Sequence, residues 1–202
     1  MEKRIIIGLT GTICGGKGTL ATHLVSLGFN HFVLSDRIRD EIRTRGQEIT
    51  RTLLQDVGNE LRNKFGGSVL AERTADLIAG IEGNVVIDGV RNPDEIIFLR
   101  NVLEASVLGV DAPKDTRCEW YLARAKSRGE DGTTVADFER DNNRDLGIGE
   151  PDTGQQVGKC LDLADIVIEN NGSKQDLFNE CNQFLKDTFH FDAEIHRAGK
   201  EK

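Results

Sequence analysis

Two periods of hydrophobic and polar positions alternate along this chain. Short unbroken apolar runs, each stopped by glycine or a polar residue, read as strands covered on both faces. They fall at residues 4–9 ("RIIIGL"), 31–35 ("HFVLS"), 84–90 ("NVVIDGV"), 106–113 ("SVLGVDAP") and 164–170 ("ADIVIEN"). Between them apolar residues recur at helical spacing. Leu53, Leu54, Val57 and Leu61 mark one helix within 50–67, closed by the pair Gly66 and Gly67. The same reasoning predicts helices over 17–27, from Ser35 or Asp36 as cap to about 45, and over 68–80, 93–103, 114–128, 134–146 and 173–189. Strands alternating with helices predict an α/β fold in three layers. A five-stranded parallel sheet would be flanked by helices and joined by right-handed crossovers.

One domain accounts for this order. Residues 35–80 form a helical region, the polar, glycine-rich stretch within 124–158 is a candidate lid, and 190–202 read as a frayed tail. The composition fits: 202 residues, 38% hydrophobic and 30% charged, belong to a soluble chain long enough to bury a core. A net charge of -8 argues against a general duplex nucleic-acid binder but leaves room for a local basic pocket. The first apolar run is too short for a signal peptide or a membrane span, so a cytoplasmic monomer or homodimer without a membrane partner is expected. Cys14, Cys118, Cys160 and Cys181 show no C-x-x-C spacing and read as isolated reduced thiols.

The chemistry concentrates in "GLTGTICGGKGTL", where five glycines and a lysine join the first strand to the first helix. Gly11-x-x-x-x-Gly16-Lys17 in that setting is a phosphate-binding (Walker A) loop. Glycines let several backbone N–H groups curl toward one anion, and the helix start adds its positive dipole end. Gly11, Thr12, Cys14, Gly15, Gly16, Lys17, Gly18 and Thr19 are therefore expected around the phosphates of ATP. Gly18 stands where Ser or Thr is usual, and the hydroxyl comes one step later at Thr19. Asp88 closes an apolar strand, which aims its carboxylate at Mg²⁺ or at waters of the ion. Thr19 and Asp88 are the metal candidates.

With these motifs the chain resembles P-loop kinases of small substrates. "GKGT" is the form found in adenylate kinases and their relatives. "SDRIRDEI" (35–42) and "VVIDGVRNPDE" (85–95) resemble the "GDMLR" and "DGFPR" segments of nucleoside monophosphate kinases. The resemblance implies that Arg39 and Arg91 hold the phosphate of an acceptor nucleotide, with Asp36 at the helix start. "WYLARAKSRGE" and "FERDNNRD" resemble the lid-proximal arginine pairs of that class, which implies catalytic roles for Arg124, Arg128, Arg140 and Arg144. "LLQDVGNELRNKFG" (53–66) resembles a stretch of phage-type deoxynucleotide kinases and implies an acceptor contact for Arg62.

Other segments resemble dephospho-CoA kinase: "GLTGTICGGKGT", "VDAP" and "ADIVIENNGS". The last implies that Asn170, Asn171 and Gly172 lie beside the donor adenine. Two acceptors thus stay open, a (deoxy)nucleoside monophosphate and the ribose hydroxyl of dephospho-CoA. For a hydroxyl, Asp36 is the candidate base. A P-loop ATPase switch without a small-molecule acceptor is the third reading.

Overall fold

The computed structural model describes residues 4–126 and 132–194. Five strands form one all-parallel sheet in the order β2-β3-β1-β4-β5. They are β1 (Ile6–Gly11), β2 (Asn30–Val33), β3 (Val85–Val90), β4 (Ser106–Asp111) and β5 (Ile166–Glu169). The helices are α1 (Lys17–Ser26), α2 (Leu34–Thr44), α3 (Arg51–Phe65), α4 (Val69–Ile78), α5 (Pro93–Leu103), α6 (Lys114–Ala125), α7 (Val135–Leu146), α8 (Val157–Leu163) and α9 (Lys174–Phe189). The three-layer α/β architecture predicted from the alternation is the one observed.

Successive residues of β1 point to opposite faces, and the core divides accordingly. Ile6 joins Val85, Ile87 and Val107 beneath α2, α3, α4, α5 and α8. Ile7 and Leu9 join Val86, Leu108 and Ile168 beneath α1 and α9. A third, small cluster of Ile13, Tyr121 and Phe138 joins the glycine-rich loop after β1 to α6 and α7.

Several element ends follow local chemistry. The Thr50 hydroxyl accepts from the Leu53 N–H and caps α3. Asn92 and Glu95 form a reciprocal capping box on α5, with Pro93 in its first turn. Against expectation, neither Ser35 nor Asp36 caps α2. That helix starts at Leu34 after an extended Val33, and no side chain caps it. β1 runs two residues further than the apolar run, because Thr10 and Gly11 keep pairing with β4. α8 was not expected: seven residues with an internal glycine are too few to display a helical period. The tail expected to fray from 190 stays packed through 194, where Phe191 and Ala193 complete the core on the α1 and α9 side.

Candidate functional site

In an open parallel sheet, ligands gather at the carboxyl ends of the strands, where the strand order reverses. Here β1 lies between β3 and β4, and at that edge the chain encloses a cavity of about 800 Å³. The loop after β1, the ends of β2, β3 and β5, and the inner faces of α2, α3 and α6 line it.

The glycine loop is built by close approach. Gly11 has φ 147°, and a Cβ there would lie 2.0 Å from the Val110 carbonyl oxygen. Gly16 has φ 119°, and a Cβ would meet the Asn170 side chain at 2.6 Å. Cys14 takes the left-handed conformation at φ 59°. α1 begins at Lys17 with no side-chain cap, so its positive end suits an anion in the cavity. The Lys17 ammonium donates to the carbonyls of Gly11 at 2.5 Å and Thr12 at 2.9 Å. Burial pulls the Lys17 pKa down to about 8, with Asp145 and Asp88 acting against the shift and Arg91 and Arg51 adding to it. At Gly18 a Cβ would meet nothing within 4 Å, so no packing constraint selects glycine there.

Asp88 stands at the inner edge. It is in register with Leu9 of β1 and Val33 of β2, so two neighbouring strands fix its carboxylate. Its Oδ2 lies 3.8 Å from His31 Nε2. Among the described residues its buried Oδ1 has no hydrogen-bond partner. Burial works to raise its pKa, but the His31 contact and the charges of Lys17 and Arg91 outweigh it and keep the carboxyl low.

Close enough for their charges to act on Lys17, Arg51 at the start of α3 and Arg91 after β3 flank Asp145 of α7, at 3.5 and 3.3 Å. Asp145 is 1% exposed, and neither of its oxygens accepts a hydrogen bond among the described residues. The Arg51 Nε and Nη2 and the Arg91 Nε likewise make no hydrogen bond there, so the pairing with Asp145 is an ion pair without one. Burial lowers the Arg91 pKa, Asp145 opposing and Arg51 reinforcing that shift. With Lys17, the cluster sets three cationic groups against Asp145 and Asp88, so the cavity floor is net positive inside a chain of charge -8.

Most of the residues singled out in the sequence meet at this cavity. Cys14 through Thr19 line it on one side, Asp36, Arg39 and Arg91 on another, and Asp88, Arg124 and Gly172 complete it. Gly11 and Thr12 shape the loop from below: Gly11 through its carbonyl to Lys17, Thr12 through its hydroxyl to Asp111 at 2.5 Å. Asn170 lines the cavity and donates to the Gly15 carbonyl, whereas Asn171 does not line it.

Three of the arginines singled out in the sequence do not line the cavity. Arg62 is 2% exposed and does not line the cavity. It is held at 2.7 Å by Glu95, whose other oxygen accepts the N–H groups of Arg91 and Asn92. Arg62 therefore supports the Arg91 turn rather than meeting a ligand. Arg140 and Arg144 are turned away as well. Arg140 pairs with Asp137 and Asp141, and Arg144 with Glu150 and Asp56. The cause is the face α7 buries, formed by Phe138, Asp141, Asn142 and Asp145, which brings a carboxylate to the site instead of the arginines. Arg128 lies outside the described residues.

The sequence reading missed Arg51, His31, Trp120, Gln55 and Gln155, all on the cavity wall. Arg51 had one available signal, its place four residues before Gln55 and three before Leu54 on a single helical face. Arg117 was also missed. Its guanidinium donates to the carbonyls of Ala112 and Ile13 and to Asn142, tying α7 to the glycine loop. Among the described residues no helix is long and apolar enough to cross a membrane.

No protein-family model matches the sequence. Among solved structures, TT1252 from Thermus thermophilus superposes with a TM-score of 0.60 at 20% identity, covering 93% of this chain and 99% of that one. A shikimate kinase from Acinetobacter baumannii, solved with shikimate, gives 0.55 at 20% identity over 92% and 95%. Those likenesses establish that the chain shares its three-layer α/β fold with these proteins, one of them a kinase. A UPF0200 protein of Methanothermobacter thermautotrophicus is 29% identical over 199 residues, 98% of this chain and 97% of that one. A UPF0200 protein of Hyperthermus butylicus is 32% identical over 183 residues, 90% of this chain and 94% of its own length. At that identity, sustained over nearly the full length of both proteins, the chain belongs to the UPF0200 family.

Proposed function

We propose that the chain is an ATP-dependent phosphotransferase that moves a phosphoryl group to a nucleotide-type acceptor, a (deoxy)nucleoside monophosphate. The observation that carries this reading is the number of cationic groups lining one cavity: Arg39, Arg51 and Arg91 join Lys17 and the start of α1 there. A nucleotide binder without an acceptor needs only Lys17 and that helix start.

The residues fit a triphosphate with its metal. The glycine loop forms a cradle that a Cβ at Gly11 or Gly16 would fill, and the buried Oδ1 of Asp88 lacks a partner among the described residues. Gly15 to Thr19 would hold the donor phosphates, and Asp88 with the Thr19 hydroxyl would hold Mg²⁺, in part through water. Among the described residues no group of three His, Cys, Asp or Glu side chains converges to hold a metal, so phosphate oxygens and water would complete the coordination. When bound, the metal neutralises charge on the transferring phosphoryl group.

The chain's own residues position and neutralise. Lys17 exchanges its two loop carbonyls for phosphate oxygens. Arg39, Arg51 and Arg91 hold the acceptor anion in line with the donor, and Arg124 closes the site from α6. Positioning of this kind supplies most of the catalysis in phosphoryl transfer. A phosphate acceptor needs no general base, because its oxygen is already an anion.

Lys17→Ala is expected to lose at least 100-fold in acceptor-dependent transfer while melting like the wild type. Coupled ADP-release and thermal-melting assays measure both, and near-normal turnover would overturn the donor assignment. A hydroxyl acceptor, as in dephospho-CoA kinase, is the second reading. Asp36 and the His31–Asp88 contact favour it, because they supply groups able to take a proton. ATP turnover that ignores every acceptor in a panel of nucleoside monophosphates and dephospho-CoA would favour a switch ATPase instead.

A further inference from the structure

The wall that α3 contributes to the cavity holds two polar side chains with buried atoms that make no hydrogen bond among the described residues. Arg51 and Gln55 both line it, four residues apart on one helical face, so their Cβ atoms stand about 6 Å apart. Gln55 is 1% exposed, and its Nε2 lies 3.4 Å from Oε1 of Gln155, itself 3% exposed. Among the described residues Gln55 Oε1 has no hydrogen-bond partner, nor do Nε and Nη2 of Arg51. A buried amide oxygen without a donor is uncommon in a folded protein and asks for an explanation. Val33, Ile38 and Leu54 form apolar wall in the same cavity.

We propose that Arg51, Gln55 and Gln155 form a two-point reader of the acceptor. Arg51 takes an anionic group. About one helical turn away, Gln55 Oε1 accepts a hydrogen bond from a neutral donor, while the Gln155 amide donates to an adjacent acceptor atom. A nucleobase edge has that donor-beside-acceptor pattern, and its planar ring suits the apolar wall. Adjacent hydroxyls of a sugar phosphate offer the same hydrogen-bonding chemistry without the ring. Inorganic phosphate satisfies only the first point. The proposal rests on the kinase reading in calling this ligand the acceptor. The reader itself is a binding property and needs no transfer.

Calorimetric titration of the full chain separates these cases. The ligands are AMP, CMP, GMP, UMP, ribose 5-phosphate and inorganic phosphate, each with and without Mg²⁺ and a non-hydrolysable ATP analogue. The proteins are the wild type, Gln55→Met, which keeps the side-chain volume, and Gln155→Ala on the loop before α8. At least one nucleoside monophosphate is expected to bind the wild type tenfold or more tightly than inorganic phosphate. That ratio should fall to within threefold in both variants. If ribose 5-phosphate instead holds the advantage and loses it in the variants, the reader stands with hydroxyls as its edge. Equal affinities in the wild type, or an unchanged ratio in variants with wild-type melting, overturn it. Should Gln55→Met not melt cooperatively, Gln155→Ala decides. Absence of heat from the ATP analogue would count against the kinase reading alone, and the acceptor titrations without it would still decide the reader.

Discussion

Two glycines of one loop are constrained in opposite ways. At Gly11 a methyl group would press on the Val110 carbonyl, and the backbone is in a region L-residues rarely adopt. Gly11→Ala should therefore destabilise by about 2–4 kcal/mol, in the range of strongly disruptive substitutions. Gly18 lies in the first turn of α1 with open space around it, so Gly18→Ala should stabilise by about 0.4–1 kcal/mol. Urea denaturation of both variants measures the contrast, and equal effects would contradict the packing described. Lys17 gives a pH-dependent counterpart. Its pKa falls from 10.5 to about 8 in the folded protein, so between those values the unfolded chain holds a proton that the folded chain has released. This group thus makes the empty protein more stable as pH rises through that window, and less stable again toward pH 8. A phosphate beside Lys17 restores the charged form. Triphosphate binding at pH 8.5 should then take up protons, and affinity should fall as pH climbs above 8. Titration in two buffers of different ionisation heat reads the uptake directly, and none would contradict a role for Lys17 in phosphate binding.

Secondary-structure elements carry these groups, and their own support is buried. Arg62 of α3 and Glu95 of α5 form an ion pair with almost no exposure, and Glu95 also accepts the backbone N–H groups of Arg91 and Asn92. Removing one member leaves an uncompensated buried charge, so Arg62→Met should cost about 3–5 kcal/mol. Adding Glu95→Leu should recover much of that stability while leaving the Arg91 turn without its acceptor. Denaturation curves test the stabilities, and a higher KM for the double variant would show that the pair positions Arg91. Before the structure, Arg62 read as a ligand contact, since sequence does not tell a buried arginine from an exposed one. The strands were legible because both faces of the sheet are covered, giving unbroken apolar runs. The tight glycine turn between β1 and α1 was legible because glycine spacing is itself its geometry. α7 was found as a helix, but its inward face was misread. That face is largely polar, with Asp141, Asn142 and Asp145 buried beside Phe138, and no apolar stripe announces it. Arg51 and Gln55 escaped because their significance lies in what stands opposite them, on β3, α7 and the loop before α8.

At the scale of the whole molecule, an acidic chain encloses a net-positive cavity floor, so binding there depends on local placement and not on total charge. The sheet order puts the glycine loop beside the ends of β3 and β4, while α2, α3 and α7 bring further charged groups from sequence-distant segments. α7 is fastened at both ends of this arrangement. Asn142 is bonded through Arg117 to the carbonyl of Ile13 in the glycine loop, and Asp145 sits one turn further on between Arg51 and Arg91. A rigid rod pinned at two seats cannot shift at one without disturbing the other. Filling either seat should therefore alter the free energy of filling its counterpart, and thermodynamic reciprocity requires the two factors to be equal. Titrating AMP with and without the ATP analogue, and the analogue with and without AMP, should return one common ratio different from unity. A ratio of one would mean that the helix merely spans the cleft and carries no message across it.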